Sequence, residues 1–143
     1  MDRERTERYK NKIELAQKRL ENIDEGFENF DKEIIKLGIY KAFQEVVEAI
    51  TDLVSMILID NNKSIGDDYA NIDKIRNIIG LNDKEVNILN ESNGLRNRII
   101  HEYNKTDDKR VRESIERLSS EIEGILEKLS RFIGKLKDEM SKV

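Results

Sequence analysis

Apolar side chains recur along this chain at alternating steps of three and four residues, which is the period of one stripe on an α-helix. Tyr9, Ile13, Ala16, Leu20 and Ile23 make the first stripe, on a helix expected from about Arg3 to Asp24 with Gly26 as its stop. A second helix is expected from about Phe30 to Ile59. Ile39, Phe43, Val46, Ile50, Leu53 and Ile57 form its main stripe, and Ala42, Val47, Ala49, Val54 and Met56 widen it over most of the circumference. A helix apolar on that many sides is central, or lies at a subunit interface, or both.

The run from Asp60 to Asp68 is polar and reads as a loop. A short helix follows from about Tyr69 to Ile79, ended by Gly80. Asn82, with Glu85 three residues on, has the form of a capping box, and Leu81 and Val86 stand where a hydrophobic staple would. The fourth helix therefore runs from about Asp83 to His101 or a little beyond, with Gly94 inside it at some cost in stability. Thr106-Asp107-Asp108 suits the positive end of a last helix. Along that helix Val111, Ile115, Leu118, Ile122, Ile125, Leu129, Phe132 and Leu136 continue a heptad seam. The packing face of a bundle helix explains this seam better than an independent coiled coil. The fold class is all-α: an up-and-down bundle of about five helices in one domain spanning residues 1–143, with no internal repeat.

Composition narrows the chemistry. The chain has no cysteine, no proline, no tryptophan and one histidine, and 39% of its residues are charged. Disulfides and thiolate metal sites are excluded. Carboxylates alone would have to hold a metal, and no helix carries the Glu and Glu-x-x-His set of a di-iron bundle, so neither a metal nor another cofactor is expected. The seven glycines are scattered and form no phosphate loop. A net charge of −4 argues against broad sequence-blind binding to nucleic acid, though not against a small basic cleft. No apolar run has the length of a membrane span or the form of a signal peptide, so a cytoplasmic protein is expected.

The candidate chemistry lies at the end of the fourth helix, in Arg96-Asn97-Arg98-Ile99-Ile100-His101-Glu102-Tyr103. His101 is the one side chain whose ordinary pKa suits proton transfer near neutrality, and a guanidinium such as that of Arg96 is a natural phosphate ligand. On a helical wheel Leu89, Ile99, Ile100 and Tyr103 share a broad apolar face, and Arg96 falls within it. A charge there needs a partner, a wet cleft or a subunit boundary. His101 stands about 140° from Arg96 on an ideal helix, nearer Asn97. The two converge only if the helix ends or distorts near His101, or if a twofold axis brings two copies of it together. Arg98, Lys105, Lys109, Arg110 and Arg112 cluster around the segment, as a local basic rim diluted by Asp107 and Asp108 or as a mixed solvated surface. Singly, His101 reads as a helix-terminal cap, Arg96 as a snorkelling side chain and Tyr103 as a core aromatic with a wet hydroxyl. Each of these readings stands by itself; all three together within eight residues are less readily explained that way.

This segment resembles the signature of the HEPN superfamily, in particular its HepT-like toxins: an arginine followed by a polar residue, a few more residues, a histidine, one residue and a tyrosine. Arg96, Asn97, His101 and Tyr103 fill those positions, after Gly94-Leu95. The family's long second helix looks like Leu37 to Leu58 here, and the helix order agrees. The resemblance implies a metal-independent endoribonuclease acting as a homodimer, its cleft at the dimer interface. It implies catalytic roles for Arg96, His101 and Asn97. It further implies a nucleotidyltransferase-fold antitoxin as partner, in some systems one that transfers AMP to the motif tyrosine, here Tyr103. Two other readings are a HEPN module that binds nucleotide or RNA without cutting, and a plain dimerising scaffold. The complete motif argues against the first, and a charge in the apolar face at Arg96 argues against the second.

Overall fold

Asp2 opens the first helix by accepting the backbone N–H of Arg5 on its carboxylate. The computed structural model describes residues 2–101 and 107–141. Among these, five α-helices and one short 3-10 turn, with no strand, form an all-α bundle. The helices are α1 (Arg3–Gly26), α2 (Glu33–Asp60), α3 (Asp68–Ile79), α4 (Asp83–His101) and α5 (Asp108–Ser141), and the 3-10 turn spans Phe27–Asn29. No described helix is long and apolar enough to cross a membrane.

The stripes are buried as their spacing requires. Tyr9, Ala16, Leu20 and Ile23 of α1 enter the core, and Ile13 is partly covered. On α2 every residue of the main stripe and of its widening is buried, from Ile39 to Ile57. That helix packs against α1, α3, α4 and α5 and is the axis of the bundle. Val111, Ile115, Leu118, Ile122, Ile125 and Leu129 carry the α5 seam inward, with Phe132 partly buried. These side chains supply the main stabilising term, the removal of apolar surface from water.

The helix ends follow local chemistry. Gly80 adopts the left-handed conformation at φ 76° that closes α3. Asn82 and Glu85 form the expected reciprocal box, Glu85 N–H to Asn82 Oδ1 at 2.8 Å and Asn82 N–H to Glu85 Oε1 at 3.0 Å. Thr106 lies outside the described residues, and Asp107 accepts the N–H groups of Lys109 and Arg110 at the start of α5.

α1 ends at Gly26, as expected, though not by a left-handed turn: Gly26 keeps φ −84° and the chain coils on into the 3-10 turn. Its lack of a side chain matters for close approach, since a Cβ there would stand 3.0 Å from Cδ1 of Ile39 on α2. The second helix begins at Glu33 rather than Phe30, because Lys32 is extended. Phe30 is nevertheless buried, with its ring centroid 5.9 Å from that of Tyr40.

Candidate active site

Three features place the last turns of α4. The capping box fixes its start. Ile88, Leu89, Leu95 and Ile99 bury one face, and Ser92 and Asn93 are buried among them. Opposite in direction runs α5, joined to α4 by Glu85–Lys128 at 2.7 Å, Lys84–Glu121 at 3.2 Å and Glu91–Arg117. The helix continues without a break through His101.

Arg96 lies at the margin of the buried face. Its side chain is 15% exposed. Nη2 stands 3.6 Å from Oδ2 of Asp68, the first residue of α3, and 3.4 Å from Oδ1 of Asn97. Its Nε is buried and without a hydrogen-bond partner. Of the three settings expected for a charge here (a partner, a wet cleft or a subunit boundary), the described residues supply a partner in Asp68, which the sequence pattern did not single out. Asn97, Arg98 and His101 are exposed. Ile100, expected on the buried face, is 43% exposed, because the inward face of α4 turns on Leu95 and Ile99.

With α4 regular to His101, Arg96 and His101 project about 140° apart around its axis. Within one chain Arg96 leans toward α3 and His101 faces solvent. No distortion of the described helix brings them together. Tyr103 and Lys105 lie outside the described residues. Of the other rim cations, Lys109 is exposed, Arg110 is exposed and 3.9 Å from Asp107, and Arg112 is committed elsewhere. Arg112 donates to the carbonyl of Phe27 at 3.2 Å and stacks over the Phe30 ring.

A second cluster fixes the start of α5, close in sequence to the motif. Asp108 accepts from the Tyr40 hydroxyl at 2.7 Å and from Lys36 Nζ at 2.9 Å. The Tyr40 hydrogen bond first, and that from Lys36 next, hold the Asp108 carboxyl below its ordinary value. Hydrogen bonds to Asp108 and Glu33 raise the Lys36 ammonium above its own. Beneath α4 a small, mainly apolar cavity of about 20 Å³ lies among Val47, Ile50 and Leu89, with Thr51, Asp68 and Asn93 at its border. Among the described residues no three His, Cys, Asp or Glu side chains gather in a way that could hold a metal ion.

The family described as Ribonuclease HepT-like matches residues 9–129. Two proteins of the archaeon Archaeoglobus fulgidus, both named "Putative RNase", align over nearly the whole chain. One is 30% identical over 132 residues, covering 92% of this chain and 98% of its own length. The other is 29% identical over 139 residues, covering 97% and 98%.

Proposed function

Because the chain belongs to the HepT-like ribonuclease family, we propose that it is a metal-independent endoribonuclease, the toxin of a toxin–antitoxin pair, whose cleft forms where two copies meet. One observation carries the reading. A part-buried guanidinium, an exposed carboxamide and an exposed imidazole occupy the last two turns of one rigid helix at Arg96, Asn97 and His101. That is the equipment RNA cleavage needs. RNA supplies its own nucleophile in the 2′-hydroxyl. His101 takes the hydroxyl proton or gives one to the departing 5′-oxygen. The 2′-oxygen bonds to phosphorus, the bond to the 5′-oxygen breaks, and the products are a 2′,3′-cyclic phosphate and a 5′-hydroxyl. Arg96 neutralises the non-bridging oxygens as charge builds on the phosphorane. Asn97 orients the phosphate or the imidazole.

The angle between Arg96 and His101 favours a homodimer, since a twofold axis lets the arginine of one copy serve the histidine of the other. Ile100 on α4 and Tyr69 beside Asp68, 43% and 63% exposed, supply apolar surface for that contact. Exposed Arg98, Lys109 and Arg110 would border the RNA path. The partner in this reading is a nucleotidyltransferase-fold antitoxin. AMP placed on Tyr103 would put a bulky anion beside the phosphate-binding groups and block RNA by occupancy and charge.

A fluorescent RNA incubated in EDTA tests the proposal. The wild type should cut it and leave cyclic phosphate ends, while Arg96→Ala and His101→Ala should not. Binding of RNA without cleavage by all three proteins would instead support a non-catalytic module. Gel filtration reports the dimer. Mass spectrometry after co-expression with a neighbouring nucleotidyltransferase reports AMP on Tyr103, and an inhibited complex with unmodified tyrosine would reject that mode of control.

A further inference from the structure

We infer that Asp68 is a positioning residue for Arg96: it holds one terminal nitrogen of the guanidinium and leaves the other directed at the RNA phosphate. The inference rests on the ribonuclease reading above. Arg96 is too covered for its charge to be stabilised by water alone, and its Nε already lacks a partner. Among the described residues Asp68 is the one carboxylate within ion-pair distance of it. Remove that charge and the cheapest course for a long side chain is to swing outward into solvent.

Asp68 itself is firmly placed. It begins α3, whose preceding residue Asp67 caps the helix by accepting the N–H of Ala70 at 2.8 Å. Asn71, one turn on, ties the incoming loop down through both of its amide atoms, accepting from Gly66 N–H at 2.8 Å and donating to Gly66 O at 3.2 Å. Ile72 and Ile75 anchor the same helix in the core. The carboxylate is thus delivered from a rigid element, as precise placement of a partner requires.

The form of the contact matters as much as its presence. A bidentate fork would engage two nitrogens and leave little for a substrate. Here both protein contacts, Asp68 at 3.6 Å and Asn97 at 3.4 Å, fall on Nη2. Neither touches Nη1. A phosphate oxygen can therefore reach Nη1 without first displacing the carboxylate. Asp68 sets the direction of the guanidinium and costs part of its positive charge.

The opposite role, a brake that competes with RNA, predicts the opposite sign, so Asp68→Asn separates them. Positioning predicts that kcat falls by about 10- to 100-fold, the scale expected when a reacting group shifts by an ångström, with KM changed by less than about threefold. Asp68→Glu should recover most of the rate. A rise in kcat/KM in Asp68→Asn, or equal losses in the two variants, would overturn the inference. A second readout does not depend on turnover. The Nε–H resonance of Arg96, assigned by its loss in Arg96→Lys, should exchange slowly in the wild type, quickly in Asp68→Asn and slowly again in Asp68→Glu. Unchanged exchange in Asp68→Asn would equally overturn it. Should the wild type prove unable to cut RNA, the ribonuclease reading fails by that result, and the exchange experiment still decides whether Asp68 holds the arginine.

Discussion

Replacing Asp60 with alanine should lower the unfolding midpoint by about 10 °C. This carboxylate ends α2 and receives three hydrogen bonds from α1: Arg5 Nε and Nη2, each at 3.1 Å, and the Tyr9 hydroxyl at 2.6 Å. Arg5 and Asp60 are only 18% and 17% exposed, and Tyr9 is buried. Truncation leaves a largely covered guanidinium with the Met56 carbonyl, 3.1 Å away, and the face of the Tyr9 ring, 5.4 Å away, as its partners, and strips the phenol of its acceptor. Breaking one side of a fully buried pair costs about 3–5 kcal/mol, and partial exposure puts this one near 3. At an unfolding entropy of about 2.1 cal/mol/K per residue, 143 residues give roughly 0.3 kcal/mol/K, so 3 kcal/mol corresponds to about 10 °C. Thermal melts followed by far-ultraviolet circular dichroism measure it, and combining the change with Tyr9→Phe should show a coupling of about 1–2 kcal/mol. A melting point within about 2 °C of wild type would mean that water already screens the pair as it does on an open surface, and the reasoning from burial would fail.

The same tyrosine gives an alkaline signature. Burial first, and the Asp60 hydrogen bond next, raise the Tyr9 phenol above its ordinary value of 10.0. The folded state therefore keeps a proton that the unfolded chain gives up, and stability should fall as pH rises above about 10, less steeply in Tyr9→Phe. Asp108 works in the other direction: its carboxyl is held below 3.8, so its contribution is present above that pH and lost as pH falls below it, and Asp108→Asn should flatten the acid limb of a stability–pH curve. Gly94 lies inside α4 with open space where a Cβ would go, so Gly94→Ala should raise stability by about 0.5–1 kcal/mol in urea titrations. If that variant also loses RNA cleavage with its fold intact, a second backbone or the RNA must approach α4 closely at this point.

How far the residues announced this arrangement depends on the range of each interaction. Stripes report burial, and burial is what the periodicity of α2 and α5 recorded correctly. They do not report backbone, which is why Phe30, buried but outside a helix, drew the start of α2 three residues too early. Caps are local, so the Asn82–Glu85 box and the left-handed Gly80 were legible within a few positions. Asp68 was not, because it meets Arg96 across two helices and 28 positions of chain, and nothing in the spacing of a polar loop marks one aspartate among three neighbours. Arg96 itself declared the need for a partner, and only the packing of α3 against α4 could name it. Ile100 shows the limit of the helical wheel, which groups residues by angle without fixing which edge of the face meets the core.

The antiparallel run of α1 along α2 has a practical outcome. Arg5 meets Asp60, Lys12 meets Asp52 and Arg19 meets Glu45, whereas Lys36 and Tyr40 meet Asp108. Lys36 and Asp60 are 24 residues apart on one helix, or about 36 Å. A tether attached ahead of Asp2 thus leaves from the pole of the molecule opposite the one toward which α4 runs. Surface immobilisation or a bulky reporter at that point should leave the arginine–histidine helix facing the solution, where a nucleic acid, a second copy or an inhibitor can reach it.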